Sequence, residues 1–228
     1  MNKNLNISSH EALKIGIILS LVGGILDAHT FLFRNGVFAN TQTGNIVFLA
    51  LFLNTNRTQR TLQCVLSIIT FVIGIILTEL IKKKLKNNHI LNYICITLII
   101  EIVFLSLIAA IPKDVHNMVV IVVVSFVCSL QTNAFRSLKG SPYSTTMCTG
   151  NLRSACSALF FFIFNKNKKE GKICLRYFVI ILTFFSGALI GRFLTNLIRE
   201  GTILFCSFLL TIALLILIYQ ESLNRKNN

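Results

Sequence analysis

The chain has 228 residues, of which 54% are hydrophobic and only 13% are charged. A soluble domain of this length carries about twice that share of charged residues, so the composition excludes a soluble enzyme and a secreted disulfide scaffold. The formal charge is +14, but the basic residues lie mostly between apolar stretches, where anionic lipids and membrane orientation explain them better than nucleic acid does.

Six stretches are long and apolar enough to cross a hydrocarbon core about 30 Å thick as helices. In chain order, the predicted spans are residues 15–33, 61–81, 90–111, 118–135, 174–198 and 203–219. Polar tails at residues 1–11 and 220–228 flank them. The sequence therefore predicts an all-α integral membrane protein with a single membrane domain over residues 1–228.

Two further stretches, residues 36–53 and 142–164, lie between predicted spans. Each begins with polar, Gly- and Thr-rich sequence and ends in an apolar run of 8 or 10 residues, Ile46 to Leu53 and Ala155 to Phe164. Runs of this length are too short to span a bilayer. We therefore predict two re-entrant half-helices, each of which enters and leaves the membrane on one side.

The charges of the loops orient the predicted spans. With a cytoplasmic N-terminus, the basic runs at 82–86 and 166–172 lie in the cytoplasm, and the net-neutral loops 112–117 and 199–202 lie outside. This scheme also puts the C-terminus in the cytoplasm. Three basic residues are exceptions to this orientation because it puts them on the external side of the membrane, namely Arg34, Arg57 and Arg60. Seven spans with an external N-terminus agree with the loop charges too, and that alternative stays open.

The chain contains an internal repeat at an offset of 106 residues. The offset aligns Thr43-Gly44-Asn45-Ile46 with Thr149-Gly150-Asn151-Leu152, and it aligns Asp27-Ala28 with Asn133-Ala134. Each half, about residues 12–111 and 118–219, then holds three spans and one re-entrant stretch. Because three is odd, the second half enters the membrane from the opposite side, so we predict inverted repeats.

Four strings in the two halves carry a resemblance to a known family. They are Gly-Gly-Ile-Leu-Asp-Ala (23–28), Gly-Val-Phe-Ala-Asn-Thr-Gln-Thr-Gly-Asn (36–45), Leu-Gln-Thr-Asn-Ala-Phe (130–135) and Tyr-Ser-Thr-Thr-Met-Cys-Thr-Gly-Asn-Leu (143–152). In these strings the chain resembles the YoaK family of small bacterial integral membrane proteins, over roughly residues 12–220. The resemblance implies a multi-pass protein of the bacterial cell (inner) membrane, and it implies no biochemical activity.

The two Thr-Gly-Asn strings concentrate neutral hydrogen-bonding side chains at the expected depth of the membrane midplane. Gly44 and Gly150 permit a close backbone turn that opens a half-helix at the following Asn, with free N–H groups facing an anion or polar solute. The candidate pathway residues are Asn40, Thr41, Gln42, Thr43, Gly44, Asn45, Gln131, Asn133, Thr145, Thr146, Thr149, Gly150 and Asn151. Alternatively, Thr and Asn only cap a helix and bond to neighbouring spans.

Ionisable side chains inside the spans are few, and each is a functional candidate because a charge in lipid is costly. Asp27 and Glu101 are the candidates for ion coupling. Because Asp27 aligns with Asn133, the two share a side-chain carbonyl oxygen. A structural hydrogen-bonding role and a cation or proton role for Asp27 therefore both stay open.

Two further features are interpreted as structural. Small residues recur along the first and fifth spans, at Gly16, Ser20, Gly24 and Ala28 and at Gly187, Gly191 and Thr195, where another helix can approach closely. Glu79 and Arg192 follow Gly74 and Gly187 by five residues. We expect these two charges to snorkel to an interface rather than to pair.

The sequence contains no arrangement typical of a catalytic or metal site, and its seven cysteines are dispersed. We therefore predict neither an enzyme nor a cofactor or metal.

The favoured function is a small-solute transporter or channel lined by the two Thr-Gly-Asn strings. The alternative is a membrane scaffold that binds partners through its small-residue seams. The expected partners are the lipid bilayer, an unidentified small solute and, as a candidate, a second copy of the chain, with no nucleic acid.

Overall fold

The computed structural model describes residues 12–53, 55–85, 90–110 and 117–226. These residues form eight helices and one short hairpin: α1 (Leu13–Phe33), α2 (Gln42–Phe52), α3 (Thr58–Lys84), α4 (Ile90–Ala110), α5 (Asn117–Ala134), β1 (Ser137–Leu138), β2 (Ser141–Pro142), α6 (Cys148–Phe164), α7 (Lys168–Ile198) and α8 (Gly201–Lys226). Residues 1–11, Lys86, residues 112–116 of the predicted external loop, and residues 227–228 lie outside the described part.

Six of these helices, α1, α3, α4, α5, α7 and α8, are long and apolar enough to cross a membrane. They coincide with the six predicted spans, and this prediction is confirmed. The remaining two helices, α2 and α6, have 11 and 17 residues and begin within the two stretches predicted to be re-entrant. Their re-entrant course and the inversion of the two halves stay predictions.

Glycines set the closest helix crossings. α1 packs mainly against α7, and α5 packs mainly against α3. A Cβ atom at Gly24 would overlap the backbone of Phe184 and Ala188 on α7, and one at Gly187 would overlap the backbone of Leu21 on α1. In the other pair, a Cβ at Gly74 would lie 2.8 Å from a carbonyl oxygen of α5. The seams on α1 and α7 therefore act in packing, as the sequence indicates.

The buried core lies along α1, α4, α5 and α8, where residues such as Leu19, Leu98, Val124 and Leu210 are fully buried. The outer faces of α3 and α7 instead expose large apolar side chains, among them Ile76 and Phe193. Since lipid tails replace water around such a bundle, exposed apolar side chains are compatible with a stable fold.

A short hairpin with two residues in each strand follows α5, and the sequence analysis did not predict this hairpin. Ser137 pairs with Pro142 and Leu138 pairs with Ser141, and the turn between them has positive φ at both Lys139 (50°) and Gly140 (79°). Two consecutive positive φ angles are typical of a tight hairpin turn, and glycine tolerates one of them without strain. The turn reverses the chain and leads it back to the start of α6. The hydroxyl of Tyr177 on α7 donates to the carbonyl oxygen of Pro142 at 2.6 Å and fixes the hairpin there.

Candidate functional site

A cavity of about 610 Å³, here called the central cavity, lies between the beginnings of α2 and α6. Both Thr-Gly-Asn segments line it, the first over residues 40–44 and the second over residues 146–150. Phe71 of α3 and Phe184 of α7 complete the wall. The cavity is therefore bounded by corresponding elements of the two halves.

The first segment is held by Asp27 of α1. The carboxylate accepts from the backbone N–H of Asn40 at 2.8 Å and from the hydroxyl of Thr41 at 2.7 Å. The side-chain amide of Asn40 in turn donates to the carbonyl oxygen of Gly23 at 3.3 Å. The Asp27 carboxyl group thus lies beside the N-terminus of α2, where the helix dipole favours its ionised form.

Asn45 closes the loop that precedes α2. Its side-chain oxygen accepts from the backbone N–H of Phe38 at 3.1 Å, and its amide donates to the carbonyl oxygen of Phe38 at 2.7 Å. The same amide lies 3.0 Å from the hydroxyl of Ser67 on α3, which lies 2.8 Å from the hydroxyl of Ser125 on α5. A hydrogen-bonded chain therefore links α2, α3 and α5.

The second segment is closed in the same way. The side-chain oxygen of Asn151 accepts from the backbone N–H of Ser144 at 3.2 Å, and its amide donates to the carbonyl oxygen of Ser144 at 2.6 Å. Ser144 and Asn151 follow Phe38 and Asn45 by 106 residues each, the offset of the sequence repeat. We call this two-bond arrangement the Asn clasp.

Gln131 and Asn133 of α5 take different positions around the second segment. The amide of Gln131 donates to the hydroxyl of Thr145 at 3.1 Å, which ties α5 to this segment. The amide of Asn133 points instead to α3, where it donates to the carboxylate of Glu79 at 2.8 Å. Asn133 therefore does not hold the second segment as Asp27 holds the first.

Eight predicted pathway residues line the central cavity: Asn40, Thr41, Gln42, Thr43, Gly44, Thr146, Thr149 and Gly150. The other five, Asn45, Gln131, Asn133, Thr145 and Asn151, do not line it and bond to the backbone or to side chains of neighbouring elements. Glu101 is fully buried in α4, which packs against α8 and α5, and neither of its oxygens has a hydrogen-bond partner among the described residues. Glu101 does not line the central cavity.

Two expectations about the glycines are wrong. The helices begin at Gln42 and Cys148, three residues before the predicted starts at Asn45 and Asn151, because the Asn side chains bond backward to the preceding loops. Close backbone approach is also absent at Gly150, where an added Cβ would meet nothing within 4 Å. At Gly44 an added Cβ would lie 3.0 Å from the ring of Phe38, which is a tight contact with a side chain.

Sequence reasoning missed the two phenylalanines of the cavity wall, Phe71 and Phe184. A signal existed, because Phe71 and Phe184 precede Gly74 and Gly187 by three residues each. The two glycines are already related by Glu79 and Arg192, which follow them by five residues each. Extending that match to the neighbouring aromatic residues points to both side chains.

A separate polar cluster joins the ends of α1 and α7. The guanidinium of Arg34 is nearly buried, forms a short ion pair with Glu200 and donates to the side-chain oxygen of Asn117 at 2.7 Å. His29 contributes a hydrogen bond between its Nδ1 and the hydroxyl of Thr195 at 3.1 Å. Arg34, an exception to the charge rule, is thus neutralised by a partner 166 residues away in sequence.

The charges at Glu79 and Arg192 do not pair with each other. The carboxylate of Glu79 lies 3.1 Å from the ammonium of Lys82 and bonds to Asn133, whereas Arg192 is exposed on α7. Within the described ranges, no three His, Cys, Asp or Glu side chains come together as metal ligands would. The seven cysteines are all free, and Cys64, Cys128, Cys174 and Cys206 are buried.

Comparison with known proteins places these features in a family. The family described as "Protein of unknown function (DUF1275)" matches residues 15–216. The UPF0700 transmembrane protein YoaK of Bacillus subtilis (strain 168) is 28% identical over 158 residues, which cover 67% of this chain and 69% of that protein. No solved structure matches the chain significantly.

Proposed function

We propose, from the premise that the chain belongs to the DUF1275 family of proteins of unknown function, that this multi-pass membrane protein is a small-solute transporter or channel. In this proposal the solute occupies the central cavity, between the two Thr-Gly-Asn segments. The observation that carries it is the cavity itself: both segments reach one space of about 610 Å³, although 106 residues separate them in sequence.

The lining favours a small polar solute. The polar residues Asn40, Thr41, Thr43 and Thr149 line the cavity, and the rings of Phe71 and Phe184 flank it. The N-termini of α2 and α6 both lie at its edge, so backbone N–H groups add hydrogen-bond donors. A solute that carries hydrogen-bond acceptors fits this lining best.

Equivalent packing in the two halves supports the inverted-repeat part of the proposal. At the repeat offset α1 corresponds to α5, and α3 corresponds to α7. The first helix of each half packs mainly against the third helix of the other half, α1 against α7 and α5 against α3. The pairs α2 with α3 and α6 with α7 correspond in the same way. In this arrangement α2 and α6 are half-helices that approach the cavity from opposite faces.

We place the protein in the bacterial cell membrane with both termini in the cytoplasm. The ion pair of Arg34 with Glu200 supports this orientation, because it neutralises one of the three basic residues that the scheme puts outside. Within the scheme, Arg34, Asn117 and Glu200 all lie at the external face. Their contacts with one another agree with that placement.

A competing function follows from the Asn clasps. Asn45 and Asn151 are satisfied within the protein, as the scaffold interpretation expects of groups that only build structure. A scaffold would leave the hydroxyls of Thr43 and Thr149 without a function. The two functions therefore differ in what the cavity-facing hydroxyls do.

The test is a screen of the purified protein for shifts in melting temperature with small anions, cations and neutral metabolites, followed by uptake of the best solute into proteoliposomes. We expect a solute that stabilises the protein and is taken up. Thr149→Val keeps the shape of the side chain, removes a cavity-facing hydroxyl and should weaken both effects. Thr70→Val is the matched control, since the hydroxyl of Thr70 bonds only to carbonyl oxygens of its own helix at 2.7 and 3.2 Å. Equal effects of the two variants, or no solute effect in the wild type, would favour the scaffold.

A further inference from the structure

A second cavity, of about 630 Å³, adjoins the central cavity and shares Met147 and Gly150 with it. It lies between α6 and the beginning of α7, and the polar residues in its wall include Ser144, Arg153, Ser154 and Glu170. We propose that this second cavity, here called the vestibule, is the route by which the solute reaches the central cavity, and that Gly150 keeps the passage between them open. The inference rests on the proposed function.

Gly150 has no conformational or packing reason to be glycine. It lies in the first turn of α6 and is not among the glycines with positive φ. A Cβ atom built on it would meet nothing within 4 Å, so a side chain has room. That room is the junction of the two cavities. A larger side chain at this position would therefore obstruct the passage without clashing with the fold.

The corresponding region of the first half is filled. Four phenylalanines stack there, with ring centroids 4.7 Å apart for Phe31 and Phe38, 6.1 Å for Phe38 and Phe48, and 5.7 Å for Phe48 and Phe52. At the repeat offset their places are taken by Ser137, Ser144, Ser154 and Ala158. Aromatic rings thus close the side of α2, whereas small side chains leave the side of α6 open. The two glycines differ in the same way, because a Cβ added at Gly44 would meet the ring of Phe38, whereas one added at Gly150 would meet nothing within 4 Å.

The vestibule lies beside the basic junction of α6 and α7. Arg153 and Glu170 lie in its wall, and the junction of α6 and α7 carries Lys166, Lys168, Lys169 and Lys172. In the proposed orientation this junction faces the cytoplasm. A cluster of positive charge there attracts solutes that carry negative charge or acceptor groups, which agrees with the donors around the central cavity.

Cys148 provides a native probe of this route, because its thiol lies on the wall of the central cavity. The experiment treats inverted membrane vesicles and intact spheroplasts with the impermeant anionic reagent methanethiosulfonate ethylsulfonate, and peptide mass mapping locates the modified cysteine. The reaction is run at mildly alkaline pH to increase the thiolate fraction. We expect modification of Cys148 in inverted vesicles and little in spheroplasts.

Gly150→Leu should lower the rate of Cys148 modification at least tenfold, and Ser154→Leu, which narrows the vestibule itself, should lower it as well. Leu152→Phe is the control, since Leu152 lies on the same helix, is 47% exposed and lines neither cavity. An unchanged rate in both vestibule variants would overturn the route, and so would equal modification from both faces or none in the wild type. Reactivity of Cys148 is independent of solute uptake. A variant in which Cys148 is no longer modified but solute binding is unchanged would therefore reject the route alone. A Cys148 that is modified as expected, in a protein without any solute effect, would reject the proposed function.

Discussion

The two halves of the molecule use the same clasp and differ in what surrounds it. In the first half Asn45 binds both backbone groups of Phe38, and in the second half Asn151 binds both backbone groups of Ser144. Around the first clasp are a carboxylate, Asp27, and a stack of phenylalanines. Around the second are serines and an open cavity.

Contacts that occur in both halves, here called the shared frame, have a different role from features that occur in only one half. A contact present in both halves is needed to fold a half, because each half must position its short helix against its own long helix. A feature present in only one half is not required for that shared role, although it can stabilise its own half. The carboxylate of Asp27, the aromatic stack and the vestibule are the features that make the two sides of the central cavity unequal. They are therefore the places to test for solute passage and its direction.

The largest expected effect tests the shared frame. Gly74→Leu and Gly187→Leu each force a side chain into the backbone or a side chain of the facing helix, α5 or α1. We expect each to reduce the free energy of unfolding by more than about 4 kcal/mol and to abolish folded, monodisperse protein. Size-exclusion chromatography of the purified variants is the measurement. Gly150→Leu is the control and should yield folded protein, since its side chain enters open space. Normal folding of only one of the two crossing variants would break the equivalence of the halves.

The next effect compares the charged contacts at the ends of α7 and α3. The pair of Arg34 and Glu200 is largely buried, with side-chain exposures of 7% and 20%, whereas Glu79 beside Lys82 is 54% exposed. Glu200→Gln leaves the guanidinium of Arg34 without its counter-charge and should reduce the free energy of unfolding by about 3 kcal/mol. Glu79→Gln should reduce it by less than about 1 kcal/mol, since water screens an exposed pair. Thermal melting followed with a thiol-reactive dye measures both. A larger loss for Glu79→Gln would contradict the interpretation of these two ends.

A smaller effect tests the clasps themselves. Asn45→Ala and Asn151→Ala each leave a backbone N–H and a carbonyl oxygen without their partner, which costs about 2 kcal/mol in each half. Asn45→Ala should cost more, because the amide of Asn45 also bonds to Ser67 and Gln42, both at 3.0 Å. The measurement is again the melting temperature. Asn196→Ala is the control, since Asn196 is exposed on α7 and takes no part in either clasp. If Asn151→Ala proved more damaging than Asn45→Ala, the ranking would be reversed and the vestibule side would carry more of the stability than its contacts indicate.

The spans could be predicted from the sequence, whereas the site could be predicted only in part. Bilayer thickness fixes the length of an apolar helix, so hydropathy alone located α1, α3, α4, α5, α7 and α8. The repeat identified both Thr-Gly-Asn segments, and both line one cavity. The helix starts were misplaced because an Asn clasp depends on the path of the preceding loop, which local sequence does not specify.

Contacts between distant segments account for the rest of what sequence reasoning missed. Arg34 stood out as a charge on the wrong side, but Glu200 is 166 residues away, and no pattern of spacing connects them. The vestibule was missed for a related reason. It exists because Ser144 and Ser154 replace two rings that fill the same place in the first half, and the emptiness of a space is visible only once the helices are packed.

The smallest expected effect on stability concerns Asp27, the charge that the second half lacks. In a purely structural role, Asp27 serves as an acceptor for the N–H of Asn40 and the hydroxyl of Thr41, at 2.8 and 2.7 Å. Asp27→Asn keeps one acceptor oxygen, and the hydroxyl of Thr41 can rotate to accept from the new amide. We therefore expect a loss of less than about 1 kcal/mol, whereas Asp27→Leu removes both acceptors and should damage folding. The reverse exchange, Asn133→Asp, brings a second carboxylate beside Glu79, which lies 2.8 Å from the present amide, and should be more destabilising than Asp27→Asn.

Because we expect Asp27→Asn to preserve the fold, this variant separates the effect of the charge from the effect of the hydrogen bonds. Asp27 lies directly behind Asn40 and Thr41, which line the central cavity, so a proton or cation bound there would alter the hydrogen bonds that position the first segment. If Asp27 couples solute movement to an ion, the Asp27→Asn protein should bind solute but lose the response of uptake to an imposed pH or sodium gradient in proteoliposomes. Thr41→Val is the matched control, since it removes one hydrogen bond to the carboxylate and keeps the charge, and it should retain the gradient response. An Asp27→Asn protein that responds to both gradients as the wild type does would assign Asp27 a structural role, and the remaining difference between the halves would then be the aromatic stack and the vestibule alone.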